Sequence, residues 1–349
     1  MIDFAKRLKN LRSELKKRAI GSLLVSNESN VTYLSGFTGS DSVLFITQDS
    51  QFFLTDSRYT QEAKDAVAGF AIIEISSSTY DTIGEIARKN KIRKIGFESM
   101  NLPYQVVKNL ESHVGRAKLV PTVNTVERLR AVKDKDEIAR IMASVKITKK
   151  VLKKAMEAVR PGESEKALSA KIECEFIKAG AKSSFQTIVA CGKNSSKPHA
   201  HPSSAKIAKD DAVMIDMGCS LDSYCSDITR MALIGKVKDR IRQIYSIVRT
   251  AQEKALEKIR PGNKISEIDR AGRQHITDKG YGKFFGHSMG HGVGLEVHEE
   301  PSISRRNAEI LRPGMVFTVE PAIYIPKLGG VRIEDMVLVT KNGFKLLTR

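Results

Sequence analysis

The apolar positions change period along the chain. Residues 2–18 repeat apolar side chains at helical spacing, and Ser22–Val25 is a short apolar run that reads as a strand. Val31–Tyr33 is a further strand candidate. Ser42–Ile46 and Gln51–Leu54 flank the polar segment Gln48–Ser50 and predict a hairpin. Ala71–Ile75 and Lys94–Phe97 read as strands, Thr82–Lys89 and Pro103–Val114 as helices. Strands alternating with helices predict an α/β domain over residues 1–123. Val123–Lys133 carries little apolar pattern and reads as a linker, followed by a long helix from Asp134 to Val159.

The remainder, residues 124–349, echoes itself. Arg160-Pro161-Gly162 recurs as Arg260-Pro261-Gly262, an offset of 100. Each triplet ends one helix and precedes a second, which stops at Ala179-Gly180 or Lys279-Gly280. Strand-like runs follow, Gln186–Ala190 and Phe284–Met289. A matched order of elements at fixed offset predicts two related halves about a pseudo-two-fold.

Inside this region two hairpins carry acids on apolar strands. Val213–Met217 and Ile228–Ile234 predict one hairpin around Leu221–Ser223, with Asp216 and Asp227 at mirror positions. Directly opposed, two bare carboxylates repel, and a cation between them resolves the conflict. A single isolated Asp reads more simply as a turn or capping residue. VFTVEPAIYIPKLGGVRIEDMVLVT predicts a second hairpin turning at Pro326–Gly330, with Glu320 opposite Glu334 and Arg332 on the face of Glu334. Between the hairpins, FFGHSMGHGVGLEVHEEP holds His287, His291 and His298. Its glycines argue against a helix and permit close backbone approach. One histidine with four carboxylates is an oxygen-rich set, suited to two divalent cations and favouring Mn²⁺, with Co²⁺ or Zn²⁺ also compatible.

Composition narrows the class. A chain of 349 residues has room for two domains, and 41% hydrophobic with 28% charged residues is an ordinary globular balance. No apolar run approaches 18 residues, so no membrane span is expected. The basic amphipathic start has no apolar signal core, which predicts a cytoplasmic protein. The 4 cysteines show no metal-type spacing and are expected as reduced, buried thiols, although Cys219 and Cys225 sit at mirror positions of the first hairpin. Net charge is +18, of which residues 1–120, with 17 basic and 13 acidic side chains, supply +4. The Lys and Arg are interspersed with acids along helices, as in RLRAVKDKDEIARIMASVKITKKVLKK, with no aromatic-interleaved stripe. A solvated surface is expected, and no specific nucleic-acid partner.

The segments IDMG and SDITR, GHGVGLEVHE, TVEP and GGVRIED resemble the pita-bread metallopeptidases, which include aminopeptidase P, prolidase and methionine aminopeptidase, with creatinase as a relative. YLSGF at 33–37 and DSRY at 56–59 extend the resemblance into the first domain. It implies an α/β N-terminal domain followed by an α+β pita-bread catalytic domain with pseudo-two-fold symmetry. By that resemblance Asp216, Asp227, His291, Glu320 and Glu334 hold two metals, with Asp227 and Glu334 bridging. Glu320 passes the proton to the leaving nitrogen, and His287 and His298 contact substrate and the tetrahedral intermediate. His199 matches the upstream substrate-binding histidine, with His201 its near competitor; Arg332 orients carboxylates, and Tyr224 and Thr229 support the site. The implied activity is Xaa-Pro aminopeptidase, in a homodimer. The alternatives are a prolidase restricted to Xaa-Pro dipeptides, another hydrolase on the same centre, and a non-catalytic binding protein on this fold. The basic excess is not explained by the resemblance.

Overall fold

The computed structural model describes residues 2–349. The chain divides into two units, the first ending at Arg130 and the second spanning Ala131–Arg349.

The first unit begins with α1, Phe4–Lys17, started by the Asp3 side chain accepting from the Lys6 N–H. β1 (Ser22–Val25) is followed by α2 (Glu28–Ser35), where a strand is expected at Val31–Tyr33. The helix wins because Asn27 caps its start and Gly36, at φ 82°, closes it in the left-handed region. β2 (Val43–Thr47) and β3 (Gln51–Thr55) form the expected hairpin. α3 (Thr60–Ala66) leads to β4 (Ala71–Glu74), α4 (Thr79–Lys89) to β5 (Lys94–Glu98), and α5 (Tyr104–His113) to β6 (Lys118–Thr122). α6 (Glu127–Arg130) interrupts the stretch read as a linker. The sheet order is β4-β3-β2-β1-β5-β6, with β1, β2 and β3 antiparallel and the outer pairs parallel.

The second unit opens with α7, Lys135–Ala158, whose first turn is closed by a reciprocal capping box between Asp134 and Glu137. Its inward face holds Ile141, Val145, Val151 and Ala155 at helical spacing. Each buried Val or Ile contributes roughly 1.5–3 kcal/mol, so a proline at Val145 would break both the ladder and this face. α8 (Glu165–Lys178) packs beside it, and β7 (Lys182–Ser183) and β8 (Ile188–Cys191) follow. β9 (Asp211–Met217), β10 (Cys219–Leu221), β11 (Tyr224–Cys225) and β12 (Ile228–Ile234) make the first acidic hairpin.

That hairpin turns one residue later than the mirror reading requires. Leu221 pairs with Tyr224, and the turn residues Asp222 and Ser223 both have positive φ, 47° and 68°. Asp216 therefore faces Thr229, not Asp227, and Ser220, not Cys219, faces Cys225. All four cysteines are free; Cys191, Cys219 and Cys225 are buried, whereas Cys174 is exposed.

α9 (Asp239–Leu256) and α10 (Ile265–Asp278) repeat the arrangement of α7 and α8. The echo extends to backbone bonds. The Gly162 N–H donates to Ile207 O at 2.9 Å, and the Gly262 N–H to Leu311 O at 3.0 Å. The N–H groups of Glu165 and Ile265 donate to Ala205 O and Glu309 O, at 3.1 and 2.9 Å. The parallel fails at Phe284–Met289, where a strand is expected: Phe284 ends a short 3-10 turn, Gly282–Phe284, and the rest is loop.

β13 (Gly290–Gly292), β14 (Glu299–Ile303) and β15 (Val316–Val319) follow, then β16 (Ala322–Ile325), β17 (Gly329–Arg332), β18 (Asp335–Val339) and β19 (Phe344–Leu346). One sheet runs β14-β13-β15-β18-β19. The second acidic hairpin keeps its expected register: Val319 pairs with Asp335 and Ala322 with Arg332. Glu320 and Glu334 lie opposite each other at the break between these ladders. No helix among the described residues is long and apolar enough to cross a membrane.

Candidate metal centre

Each acid reaches the site from the end of a strand whose own side chains are buried. Asp216 sits in β9, Asp227 just before β12, Glu320 just after β15, and Glu334 just before β18. His291 occupies the centre of β13 between Gly290 and Gly292. A Cβ on either glycine would strike backbone, at Thr318 O for Gly290 and Glu300 O for Gly292. Only glycine lets β13 lie that close to its neighbours and hold the imidazole in place.

Asp227, His291 and Glu334 each offer one ligand atom, all within 4.8 Å of one another. His291 Nε2 lies 3.6 Å from Asp227 Oδ2 and 3.7 Å from Glu320 Oε1. Its Nδ1 is 3.1 Å from Gly292 O, a contact that places the proton on Nδ1 and leaves Nε2 free to ligate. Burial and the neighbouring His298 hold the His291 pKa down at about 4, so the ring is neutral.

The carboxylates are set against one another. Two like charges 4 Å apart at an effective dielectric near 20 repel by about 4 kcal/mol. Burial, then the charge of Glu334, raises Asp227 well above the usual range. Burial, then Glu320, does the same to Glu334, and burial lifts Glu320 to about 8. Asp216 Oδ1 and Asp227 Oδ1 are buried with no hydrogen-bond partner. Orphaned oxygens, mutual repulsion and a neutral imidazole together fit cations at this place.

Arg332 ties the set to its surroundings. Its Nη2 donates to Asp216 Oδ2, its Nε to Thr229 Oγ1 at 3.1 Å, and its Nη1 to Pro198 O at 3.1 Å and to the Tyr324 hydroxyl. The Thr229 hydroxyl in turn donates to Glu334 Oε2 at 2.6 Å. Arg332 thus reaches Asp216 directly and Glu334 only through Thr229. Tyr224, expected beside the site, turns its hydroxyl to Glu137 Oε1 at 3.2 Å and does not line the cavity.

The five candidate ligands share a cavity of about 400 Å³ with His199, His201, His287, His298 and Arg332. His287 Nδ1 lies 2.8 Å from Ser288 O, and its Nε2 3.3 Å from the Tyr324 hydroxyl. Burial lowers its pKa to about 4 and raises that of Tyr324 to about 12. His298 packs against His291 with ring centroids 4.2 Å apart and the rings tilted by 56°. His201 Nδ1 is 3.0 Å from Gln186 Oε1. Phe185, Ile188 and Pro198 supply an apolar wall.

Tyr324 escaped the sequence reading, although the second hairpin pairs it with Gly330, two residues before Arg332. Extending the Glu320–Glu334 register outward is the signal that finds it. Phe185 and Gln186 had no such signal: they lie in the loop before β8, which begins at Ile188 and not at the expected Gln186.

Residues 139–341 match the metallopeptidase family M24. The chain belongs to that family. Residues 7–132 match the creatinase/prolidase N-terminal domain. The uncharacterized peptidase YqhT of Bacillus subtilis is 41% identical, over 98% of this chain and 97% of its own length. The solved structure of Xaa-Pro dipeptidase from Bacillus anthracis is 37% identical, with a TM-score of 0.96 over 99% of this chain and 98% of that one. The X-Pro aminopeptidase from Thermotoga maritima is 36% identical, with a TM-score of 0.87 over 97% of each chain. This M24 protein is therefore a metallopeptidase, with the expected α/β N-terminal domain followed by a pita-bread catalytic domain.

Proposed function

We propose that this metallopeptidase hydrolyses Xaa-Pro bonds, with Asp216, Asp227, His291, Glu320 and Glu334 holding two divalent cations. The observation that carries the reading is the convergence of these residues, two of them with orphaned buried oxygens, in one cavity with four further histidines. The oxygen-rich donor set favours Mn²⁺. When bound, the cations supply a polarised scissile carbonyl and an acidified water.

The chain's own groups do the rest. Glu320, half-buried at the cavity wall, carries the proton from water to the leaving nitrogen. His298 and His287 face the developing oxyanion, and His199 grips the substrate. Arg332 fixes Asp216, and the hydroxyl of Thr229 fixes Glu334. An Xaa-Pro bond has no amide N–H, so a site that grips the carbonyl side and closes on the ring with an apolar wall suits it. Phe185, Ile188 and Pro198 are that wall. The cytoplasmic location expected from the sequence and the homodimer implied by the resemblance belong to the same reading.

Xaa-Pro dipeptides are the core substrate we assign, because the Bacillus anthracis dipeptidase shares the fold at a TM-score of 0.96. The Thermotoga maritima aminopeptidase supports the second reading, removal of the first residue from longer peptides. Comparing kcat/KM for Ala-Pro, Ala-Pro-Ala and Ala-Ala with added Mn²⁺ tests both. Ala-Pro is expected to be cut best. Preference for Ala-Ala overturns the proline assignment, and equal cutting of Ala-Pro-Ala moves the protein to the aminopeptidase.

A further inference from the structure

Glu165 opens α8, fully buried. Its carboxylate gathers donors from both shoulders of the segment that carries His199. On one shoulder, Oε1 accepts from the Cys191 N–H at 2.7 Å, and both oxygens accept from Asn194 Nδ2 at 3.1 Å. On the other, Oε2 accepts from the Ser203 N–H at 2.9 Å and from the Ser203 hydroxyl at 2.5 Å. Between the shoulders, Pro198, His199, Ala200 and His201 line the catalytic cavity. Arg332 holds the crest of the same segment through Pro198 O. Burial alone would push the Glu165 pKa up, but the bonds from Ser203, Cys191 and Asn194 outweigh it and hold it below the usual range.

A purely architectural role is the rival explanation, and the molecule contains its own control. The two halves build the same junction at this helix start, down to matched backbone bonds from residues 162 and 262 and from residues 165 and 265. The position matching Glu165 is Ile265, also fully buried. The junction therefore forms without a carboxylate. What Glu165 adds, in the first half, is the clamp on the histidine-bearing segment.

We infer that Glu165 is a positioning residue, which sets where His199 stands over the candidate metal ligands and so acts on substrate through His199. This rests on the reading that His199 grips the substrate. A displacement of about 1 Å at such a group costs on the order of 100-fold.

The test is a double-mutant cycle on the Mn²⁺-loaded enzyme with Ala-Pro: wild type, Glu165→Gln, His199→Ala and the pair, with metal content measured for each. Glu165→Gln should lower kcat/KM roughly 10- to 100-fold with metal content unchanged, and should cost nothing further once His199 is Ala. Losses that multiply in the double variant overturn the positioning role while leaving His199 as a substrate contact. A His199→Ala enzyme with wild-type kcat/KM overturns the substrate reading and the inference together. Hydrogen exchange over residues 191–203 needs no substrate and keeps the inference open to refutation if Ala-Pro is not cut. Glu165→Gln should speed exchange there, while β9 stays protected. Ser203→Ala, a milder change, should do so less strongly. Unchanged exchange in both variants overturns the clamp.

Discussion

Arg332 and Asp216 are joined side chain to side chain across β17 and β9, with the guanidinium and the carboxylate both buried. The same guanidinium also holds Thr229, Tyr324 and Pro198 O, so its fork places three separate elements around one carboxylate. Lysine would keep the charge and lose the fork. Arg332→Lys should retain metal and lower kcat/KM on the order of 100-fold. Elemental analysis beside kinetics checks this, and wild-type turnover would show that charge alone suffices.

Asp227 and Glu334 should each be needed for metal. Asp227→Ala or Glu334→Ala is expected to lose metal and activity together, since both residues belong to the tight ligand cluster with His291. Wild-type protein reconstituted with Mn²⁺ should hold two ions. A ceiling of one tightly bound ion, or a fully active Asp227→Ala, ends the two-metal reading.

The histidines should separate into two groups. His291→Ala should lose metal, because its Nε2 faces Asp227 and Glu320. His287→Ala and His298→Ala should keep metal and lower kcat/KM, since each faces the cavity outside the ligand cluster. Metal lost from His298→Ala but kept in His291→Ala would show that the ligand has been assigned to the wrong member of this adjacent pair.

Much of this site was legible because strand alternation and turn position suffice to place carboxylates. The Glu320–Glu334 register follows from the apolar pattern and the Pro326–Gly330 turn. The Asp216–Asp227 register does not, because Asp222 and Ser223 take positive φ without a glycine to announce it. Asp227 still joins the site, since the hairpin bends at Gly218, where a Cβ would meet Ser226 O. Val31 misled because a capped, glycine-terminated helix overrides the preference of β-branched residues. Glu165 was illegible: a helix-start glutamate looks solvent-facing until the loop that covers it is placed.

The charge of +18 should prove to be a surface property. Lys146, Lys149, Lys150 and Lys153 line the exposed face of α7, and no aromatic side chain is interleaved with them. Binding to duplex or single-stranded nucleic acid should be weak and vanish at moderate salt. Tight binding at physiological salt by a protein without peptidase activity would overturn this and restore the binding-protein alternative.

Glu165 also predicts a pH dependence of stability. Its carboxyl lies below the usual range in the folded chain, because the bonds from Ser203, Cys191 and Asn194 outweigh burial. A depressed carboxylate adds stability above its unfolded pKa of about 4.3, and that stability is lost as pH falls through the lower folded value. At pH 7 Glu165→Gln should be less stable than wild type by on the order of 2 kcal/mol, the scale of buried hydrogen bonds to a charged group. Below pH about 4 the two proteins should converge, since protonation then removes from wild type what the substitution removes at every pH. Urea midpoints of the metal-free proteins across this range measure it. A gap that stays constant from neutral to acid pH would mean that the charge on Glu165 contributes nothing to the clamp.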